Sequence, residues 1–195
     1  FQSNTKLMRI ISGKAKGKKI LMPPNKKTRP LKDMVRGSIF NILDHSSLLK
    51  KNFEECNVLD LFSGIGSFGL EAISRGAKKV IFFENYQPAV NLLKKNINKL
   101  DFNKESEIKL KNIYNENSLK KINSKINLVF IDPPFKDQNL NLVLNNVKHS
   151  KILSSNNLII IHRHKKTDDK LNDDFKFLRS ELYGISKIIF GKINF

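Results

Sequence analysis

The sequence predicts an α/β fold in which a mostly parallel sheet is covered by helices on both faces. Three observations predict it. From residue 57 onward, short apolar runs alternate with stretches of helical periodicity. One run, Leu128-Val129-Phe130-Ile131, is apolar without interruption, as strands buried on both faces are. Residues 175–190 then read as a closing hairpin, which adds an antiparallel strand at one edge.

The elements follow in chain order. Arg9-Ile10-Ile11, a turn from Gly13 to Gly17, and Lys19-Ile20-Leu21-Met22 form a short basic hairpin. Pro23-Pro24 ends it, and residues 25–30 form a loop. Asp33 caps a helix running to Leu43, with Val35, Ile39, Phe40 and Leu43 on one face. Gly37 inside that helix costs ~1 kcal/mol relative to Ala, which points to a local need for space. Val58–Phe62 is a buried strand, and Phe68–Arg75 a helix ended by Gly76. Lys79–Glu84 is the second strand, and Pro88–Leu100 a helix with Pro in its first turn. Ile108–Leu110 and Asn127–Asp132 are strands three and four. Leu140–His149 is a helix, Leu158–Ile161 the fifth strand, and Phe175–Leu178 with Gly184–Phe190 the hairpin.

A chain of 195 residues suits one domain with a small appendage. Phe1-Gln2-Ser3-Asn4 reads as the scar of a cleaved expression tag, with the native start as late as Met8. The expected division is a start at 1–7, a basic arm at 8–30 and the main domain at 31–195. No apolar run approaches the ~20 residues that span a bilayer, and no leader is visible, so a cytoplasmic location is expected. Cys56 is the single cysteine, which excludes an internal disulfide and a cysteine-rich metal centre. The net charge is +18, and residues 1–36 carry eleven Lys and Arg against one acid, Asp33. Compositional drift, visible in 30 Lys against 6 Arg, would spread that charge evenly. Its concentration in the arm instead suits a phosphate backbone.

Two motifs carry chemistry. Val58 to Gly69 runs strand, glycine turn, helix, and glycines there let the backbone approach a ligand. Gly64, Gly66 and Gly69 have dinucleotide spacing, and Glu84 at the end of the second strand suits ribose hydroxyls, so NAD competes. Asp60 favours S-adenosylmethionine, because a carboxylate there suits an ammonium and a sulfonium. No Lys or Arg stands in the turn to meet a pyrophosphate.

The second motif is Asp132-Pro133-Pro134-Phe135, at the carboxyl end of the fourth strand, where open α/β sheets bind ligands. An exocyclic base amine is a poor nucleophile, because its lone pair is delocalised into the ring. Asp132 and a carbonyl of the Asp132–Pro134 turn can accept its two hydrogens and aim that lone pair. The prolines fix φ and offer no competing N–H. Phe135 can stack on an extruded base.

Together these segments resemble the RsmD family of bacterial 16S rRNA guanine-N2 methyltransferases. Met8-Arg9-Ile10-Ile11-Ser12-Gly13 with Gly17 resembles its N-terminal arm. Thr28-Arg29-Pro30 with Asp33, Val35 and Arg36, then Phe40-Asn41-Ile42-Leu43, resembles its next segment. Asp60-Leu61-Phe62-Ser63-Gly64, Gly69-Leu70-Glu71-Ala72 and Ser74-Arg75-Gly76-Ala77 resemble its cofactor motif, and Asp132 to Phe135 its catalytic tetrad. The resemblance implies a seven-stranded Rossmann-like sheet, S-adenosylmethionine as donor, and a guanine of small-subunit rRNA within a 30S particle or assembly intermediate as target. It implies cofactor contacts from Asp60, Phe62, Ser63, Gly64, Gly66, Ser67, Gly69, Glu84, Asn85, Asn112 and Ile113. Arg9, Lys14, Lys16, Lys18, Lys19, Arg29 and Arg36 are expected to grip RNA phosphates.

The sequence departs from the family pattern at three places. Asn112 stands where an acid usually meets the adenine amine, and its amide oxygen can accept in that acid's place. Gly37 stands where the family tends to carry Glu. His162-Arg163-His164 stands near a Glu-His, adding positive charge by the expected RNA face. His162 and His164 offer no third metal ligand, so no metal is expected, and either could serve as a general base, although an amine that has been methylated loses its proton readily without a strong one. A DNA amino-methyltransferase would share both motifs, and a non-catalytic RNA-binding assembly factor would share the arm.

Overall fold

Alternation along the strands divides the core into two layers, one on each face of a single large sheet. A computed structural model describes residues 8–23, 31–50 and 52–194. The sheet strands are β3 (Asn57–Leu61), β4 (Lys79–Glu84), β5 (Ser106–Leu110), β6 (Ile126–Ile131), β7 (Leu153–His164), β8 (Phe175–Tyr183) and β9 (Ser186–Ile193), in the order β5-β4-β3-β6-β7-β9-β8. The first five run parallel, and β9 pairs antiparallel with both β7 and β8. This is the seven-stranded, mostly parallel sheet with an antiparallel hairpin at one edge that the sequence predicts.

On one face Val58, Val80, Phe82, Leu128, Phe130, Leu158 and Ile160 pack under α1 (Asp33–His45), α2 (Ser67–Ser74) and α3 (Gln87–Leu100). On the other, Leu59, Leu61, Ile81, Val129, Ile131 and Ile159 pack under α4 (Leu140–His149) and the segment containing Ile113, Leu119 and Ile122. An aromatic column joins layers on the first face. The Phe40 ring lies 5.0 Å from Phe68, and Phe68 lies 4.0 Å from Phe130. Each of these fully buried rings contributes about 1.5–3 kcal/mol of burial.

The arm is a minimal hairpin of β1 (Met8–Arg9) and β2 (Lys19–Ile20), shorter than the periodicity suggests. It is fastened to α2 rather than projecting. Glu71 accepts the N–H groups of Ile11 at 2.8 Å and Ser12 at 3.0 Å, and Lys14 donates its N–H to the Ser74 carbonyl at 2.7 Å. A Cβ on Gly13 would fall 1.8 Å from the Ser74 carbonyl oxygen, so the approach requires glycine there.

Several boundaries differ from expectation. Lys32, not Asp33, is the N-cap of α1, and no side chain caps it. Asp33 is already helical and turns its carboxylate to Arg36 at 3.1 Å. A Cβ on Gly37 would meet only Ile11 Cδ1, at an ordinary 3.7 Å, so no crowding demands glycine. Phe62 and Asp132 lie just past their strands, Gly184 belongs to the turn between β8 and β9, and β7 begins at Leu153. No helix among the described residues is long and apolar enough to cross a membrane.

Candidate active site

The spatial strand order reverses between β3 and β6, and both motifs emerge there. Leu61 is paired with Ile131, so Asp60 and Asp132 end neighbouring strands at the carboxyl edge of the sheet. Three left-handed residues, Phe62 (φ 59°), Gly64 (φ 55°) and Gly66 (φ 83°), bend the chain sharply from β3 into α2. For Phe this backbone is strained, at about 1–3 kcal/mol.

The turn is held by carboxylates. Asp60 is 1% exposed and accepts the Gly69 N–H at 3.0 Å. Burial pushes its carboxyl well above the usual range, the Gly69 hydrogen bond opposes this, and the charges of Asp132 and Glu84 add to it. Glu84 accepts from Gly64 at 2.8 Å, Asn85 at 2.9 Å and Tyr86 at 2.8 Å. The Gly66 N–H donates to the Ser63 carbonyl at 2.7 Å. All three motif glycines therefore spend their N–H groups within the protein, and none is left to cradle a pyrophosphate. Asp60, Glu84 and Asp132 gather three carboxyl groups at one sheet edge, a setting that suits a cationic ligand better than a pyrophosphate. Gly66 and Gly69 serve packing: a Cβ would lie 2.4 Å from Leu93 Cδ1 at the first and 2.3 Å from Phe82 Cε1 at the second.

The remaining expected cofactor residues stand on the same edge. Ser63 and Ser67 are buried, and Asn85 is exposed beside Glu84. Asn112 is exposed after β5, with its amide oxygen already accepting the Tyr114 N–H at 3.0 Å. That leaves one oxygen lone pair for a ligand. Ile113 is a core residue whose carbonyl accepts from Asn146 at 2.9 Å. The Phe62 and Tyr114 rings lie 5.6 Å apart at this end.

In the tetrad, Asp132 Oδ1 lies 2.8 Å from His162 Nδ1. Pro133 is buried, while Phe135 is 59% exposed with the His164 ring edge-on at 4.6 Å. The Pro134 carbonyl already accepts the Asp137 N–H at 2.8 Å, which leaves it one lone pair, while the carbonyls of Asp132 and Pro133 are further acceptors beside the Asp132 carboxylate. The Tyr114 hydroxyl donates to Asp137, and burial together with that carboxylate raises its pKa. Arg163 donates to the Asp137 carbonyl at 2.6 Å and to Asp169 through two bonds of 2.8 Å.

Two sequence expectations are corrected. Arg36 does not face phosphate: it is 0% exposed, 3.6 Å from Glu71, and donates to the Arg9 carbonyl. Burial lowers its pKa, against the charges of Glu71 and Asp33, and its Nε and Nη1 make no hydrogen bond. It is a structural cation joining arm, α1 and α2. Arg163 likewise brings no positive charge to the surface, being 4% exposed and neutralised by Asp169. Among the other arm residues, Arg9, Lys16, Lys18 and Lys19 are exposed. Lys14 is half exposed, 2.5 Å from Glu105 and 4.9 Å over the Phe102 ring. Arg29 lies outside the described residues.

The family described as Conserved hypothetical protein 95 matches residues 8–192. Ribosomal RNA small subunit methyltransferase D of Haemophilus influenzae is 30% identical over 183 residues, covering 91% of this chain and 90% of the relative. Its namesake in Buchnera aphidicola subsp. Acyrthosiphon pisum is 32% identical over 167 residues, covering 85% and 82%. The chain belongs to the RsmD methyltransferase family. A crystal structure from Haemophilus influenzae superposes on this RsmD-family chain with a TM-score of 0.74 at 27% identity, covering 96% and 99%. The rRNA methyltransferase AviRa from Streptomyces viridochromogenes shares the fold at 11% identity, with a TM-score of 0.69 over 86% and 87%.

Sequence reasoning about the RsmD-family site passed over His162, Tyr114 and Asp137 as partners of the motifs. Parallel adjacency could have revealed the first: Ile131 pairs with Ile161, so Asp132 and His162 are next in register. Tyr114 and Asp137 are 23 residues apart and meet only through the fold.

Proposed function

We propose that this enzyme transfers a methyl group from S-adenosylmethionine to the exocyclic N2 amine of a guanine in 16S rRNA, within a 30S particle or an assembly intermediate, in the cytoplasm. One observation carries the reading. The carboxyl groups of Asp60, Glu84 and Asp132 adjoin an exposed Phe135 at the same sheet edge. The names of the relatives, which specify small-subunit ribosomal RNA, support the substrate.

The residues fit the donor. Asp60 would face its ammonium, with the turn from Phe62 to Gly69 around the methionine end. Glu84, held by three N–H groups, keeps a lone pair for a ribose hydroxyl, with Asn85 beside it. Asn112 and Ile113 would border the adenine. When bound, S-adenosylmethionine supplies an electrophilic methyl group. Asp132 and a neighbouring carbonyl accept the amine hydrogens and orient the nitrogen, and Phe135 stacks on the extruded base. Arg9, Lys14, Lys16, Lys18 and Lys19 hold phosphates, Lys14 by exchanging Glu105 for RNA.

The test is tritiated methyl transfer to unmodified 30S subunits, naked rRNA and DNA in parallel. Transfer to 30S subunits or rRNA is expected, and preference for DNA would overturn the substrate. Asp132→Ala should abolish transfer while calorimetry still detects donor binding. Full activity in that variant would remove Asp132 from the mechanism.

A further inference from the structure

Asp132, just past β6, and His162, within β7, stand one position beyond the paired residues Ile131 and Ile161 of adjacent parallel strands. Register therefore brings their side chains together, with Nδ1 2.8 Å from Oδ1. The second ring nitrogen is also engaged: Nε2 lies 2.9 Å from the hydroxyl of Ser186, the first residue of β9. An ionised carboxylate only accepts, so the hydrogen of this bond sits on Nδ1 in both the neutral and the charged ring. Ser186 donates to a neutral ring and accepts from a charged one, so both states preserve the chain Asp132–His162–Ser186. The next residue of β7 acts on the same turn. Arg163 holds the Asp137 carbonyl at 2.6 Å, so consecutive residues of one strand fasten both ends of residues 132–137.

We infer that His162 is a positioning residue for the methyl transfer: by holding Oδ1 of Asp132 it leaves Oδ2 as the single carboxylate acceptor aimed at the amine. The inference rests on the proposed amine methylation. An Asp side chain has two free torsions, and both must be fixed for the nitrogen lone pair to stay in line. A misplacement of about 1 Å at this point costs roughly 100-fold in rate. The effect belongs to the chemical step, since the hydrogen bonds of His162 run to Asp132 and Ser186 and not to the turn of residues 62–69.

The test compares His162→Leu, His162→Asn, Ser186→Ala and the double variant His162→Asn/Ser186→Ala in steady-state transfer to unmodified 30S subunits. Asn places an N–H near the position of Nδ1 but does not reach Ser186. His162→Leu should lower kcat by about 10–100-fold with the donor KM unchanged. His162→Asn should recover most of that loss. Ser186→Ala should lower kcat by about threefold in the wild-type background and not at all beside His162→Asn, a non-additivity that reports direct coupling. Wild-type kcat in His162→Leu, or an Asn variant no better than Leu at equal thermal stability, overturns the inference. Nitrogen-15 NMR of the wild-type ring separates this from the functional reading. A hydrogen on Nδ1 whose signal shifts in Asp132→Ala is expected, and a bare Nδ1 overturns the positioning role on its own. Absence of methyl transfer by the wild-type enzyme counts against the proposed function instead.

Discussion

At the scale of single residues, Asp60 sets a conflict between stability and binding. Its carboxyl is raised by burial first, then by Asp132 and Glu84. A raised acid binds its proton more tightly when folded. The ligand-free protein is therefore most stable at the acid end of the window and loses stability as pH rises from the ordinary carboxylate range through the raised value. Asp60→Asn removes the buried titratable group, and its amide oxygen can still accept the Gly69 N–H. Above the raised value, where the wild-type carboxyl is ionised, this variant should gain about 2–4 °C in melting temperature for each kcal/mol relieved, while its affinity for S-adenosylmethionine falls. Thermal scans across pH and calorimetry check the two halves separately. Gly37 is simpler. Only Ile11 Cδ1 lies near its missing Cβ, at 3.7 Å, so Gly37→Ala should stabilise α1 by about 0.5–1 kcal/mol, read as a rise in melting temperature.

At the scale of elements, α2 joins two functions. Its N-terminal turn holds Asp60 through Gly69, and its face holds the arm through Glu71 and Ser74. Arg36 and Arg75 share the buried Glu71 carboxylate, at 3.6 and 2.9 Å. Breaking a buried pair leaves a charge without its partner, which costs about 3–5 kcal/mol. Arg36→Met should therefore lower the melting temperature by roughly 10 °C. It should leave the salt dependence of RNA binding unchanged in the protein that remains folded. Simultaneous Lys16→Ala, Lys18→Ala and Lys19→Ala should do the reverse. The slope of log K against log salt should fall in magnitude by about 2, with little change in stability. Filter binding over a salt series distinguishes the buried cation from the exposed ones.

At the scale of the whole molecule, the sheet divides the labour. The β3-β4-β5 half carries Asp60, Glu84 and Asn112, and the β6-β7 half carries Asp132, Phe135, His162 and Arg163. The two halves meet where the strand order reverses, which sets the proposed donor site and the proposed target site side by side. A ligand that binds only the folded state stabilises it by about 2.7 kcal/mol at a hundredfold excess over Kd. S-adenosylmethionine at that excess should raise the melting temperature by about 5–10 °C, and NAD at equal concentration should leave it unmoved. A shift with NAD alone would return the glycine motif to the dinucleotide reading.

The sequence by itself determined the order and type of elements from residue 57 onward and both motifs. Those features are local: a periodicity, a glycine spacing, an Asp-Pro-Pro-Phe string. They are written in consecutive residues, and nothing distant can erase them. Charge could be counted in the same way, but not placed. Arg36 and Lys19 contribute equally to the charge of residues 1–36, yet one is buried on Glu71 and the other is exposed, because the hairpin folds back onto α2. Whether the glycine turn has N–H groups to offer a pyrophosphate also needed tertiary structure. The spacing of Gly64, Gly66 and Gly69 suits a dinucleotide and S-adenosylmethionine alike, and only the fold shows their N–H groups already bonded to Glu84, Ser63 and Asp60. The partnership of Asp132 with His162 lies furthest from the sequence. Thirty residues separate them, and they meet because two parallel strands share a register.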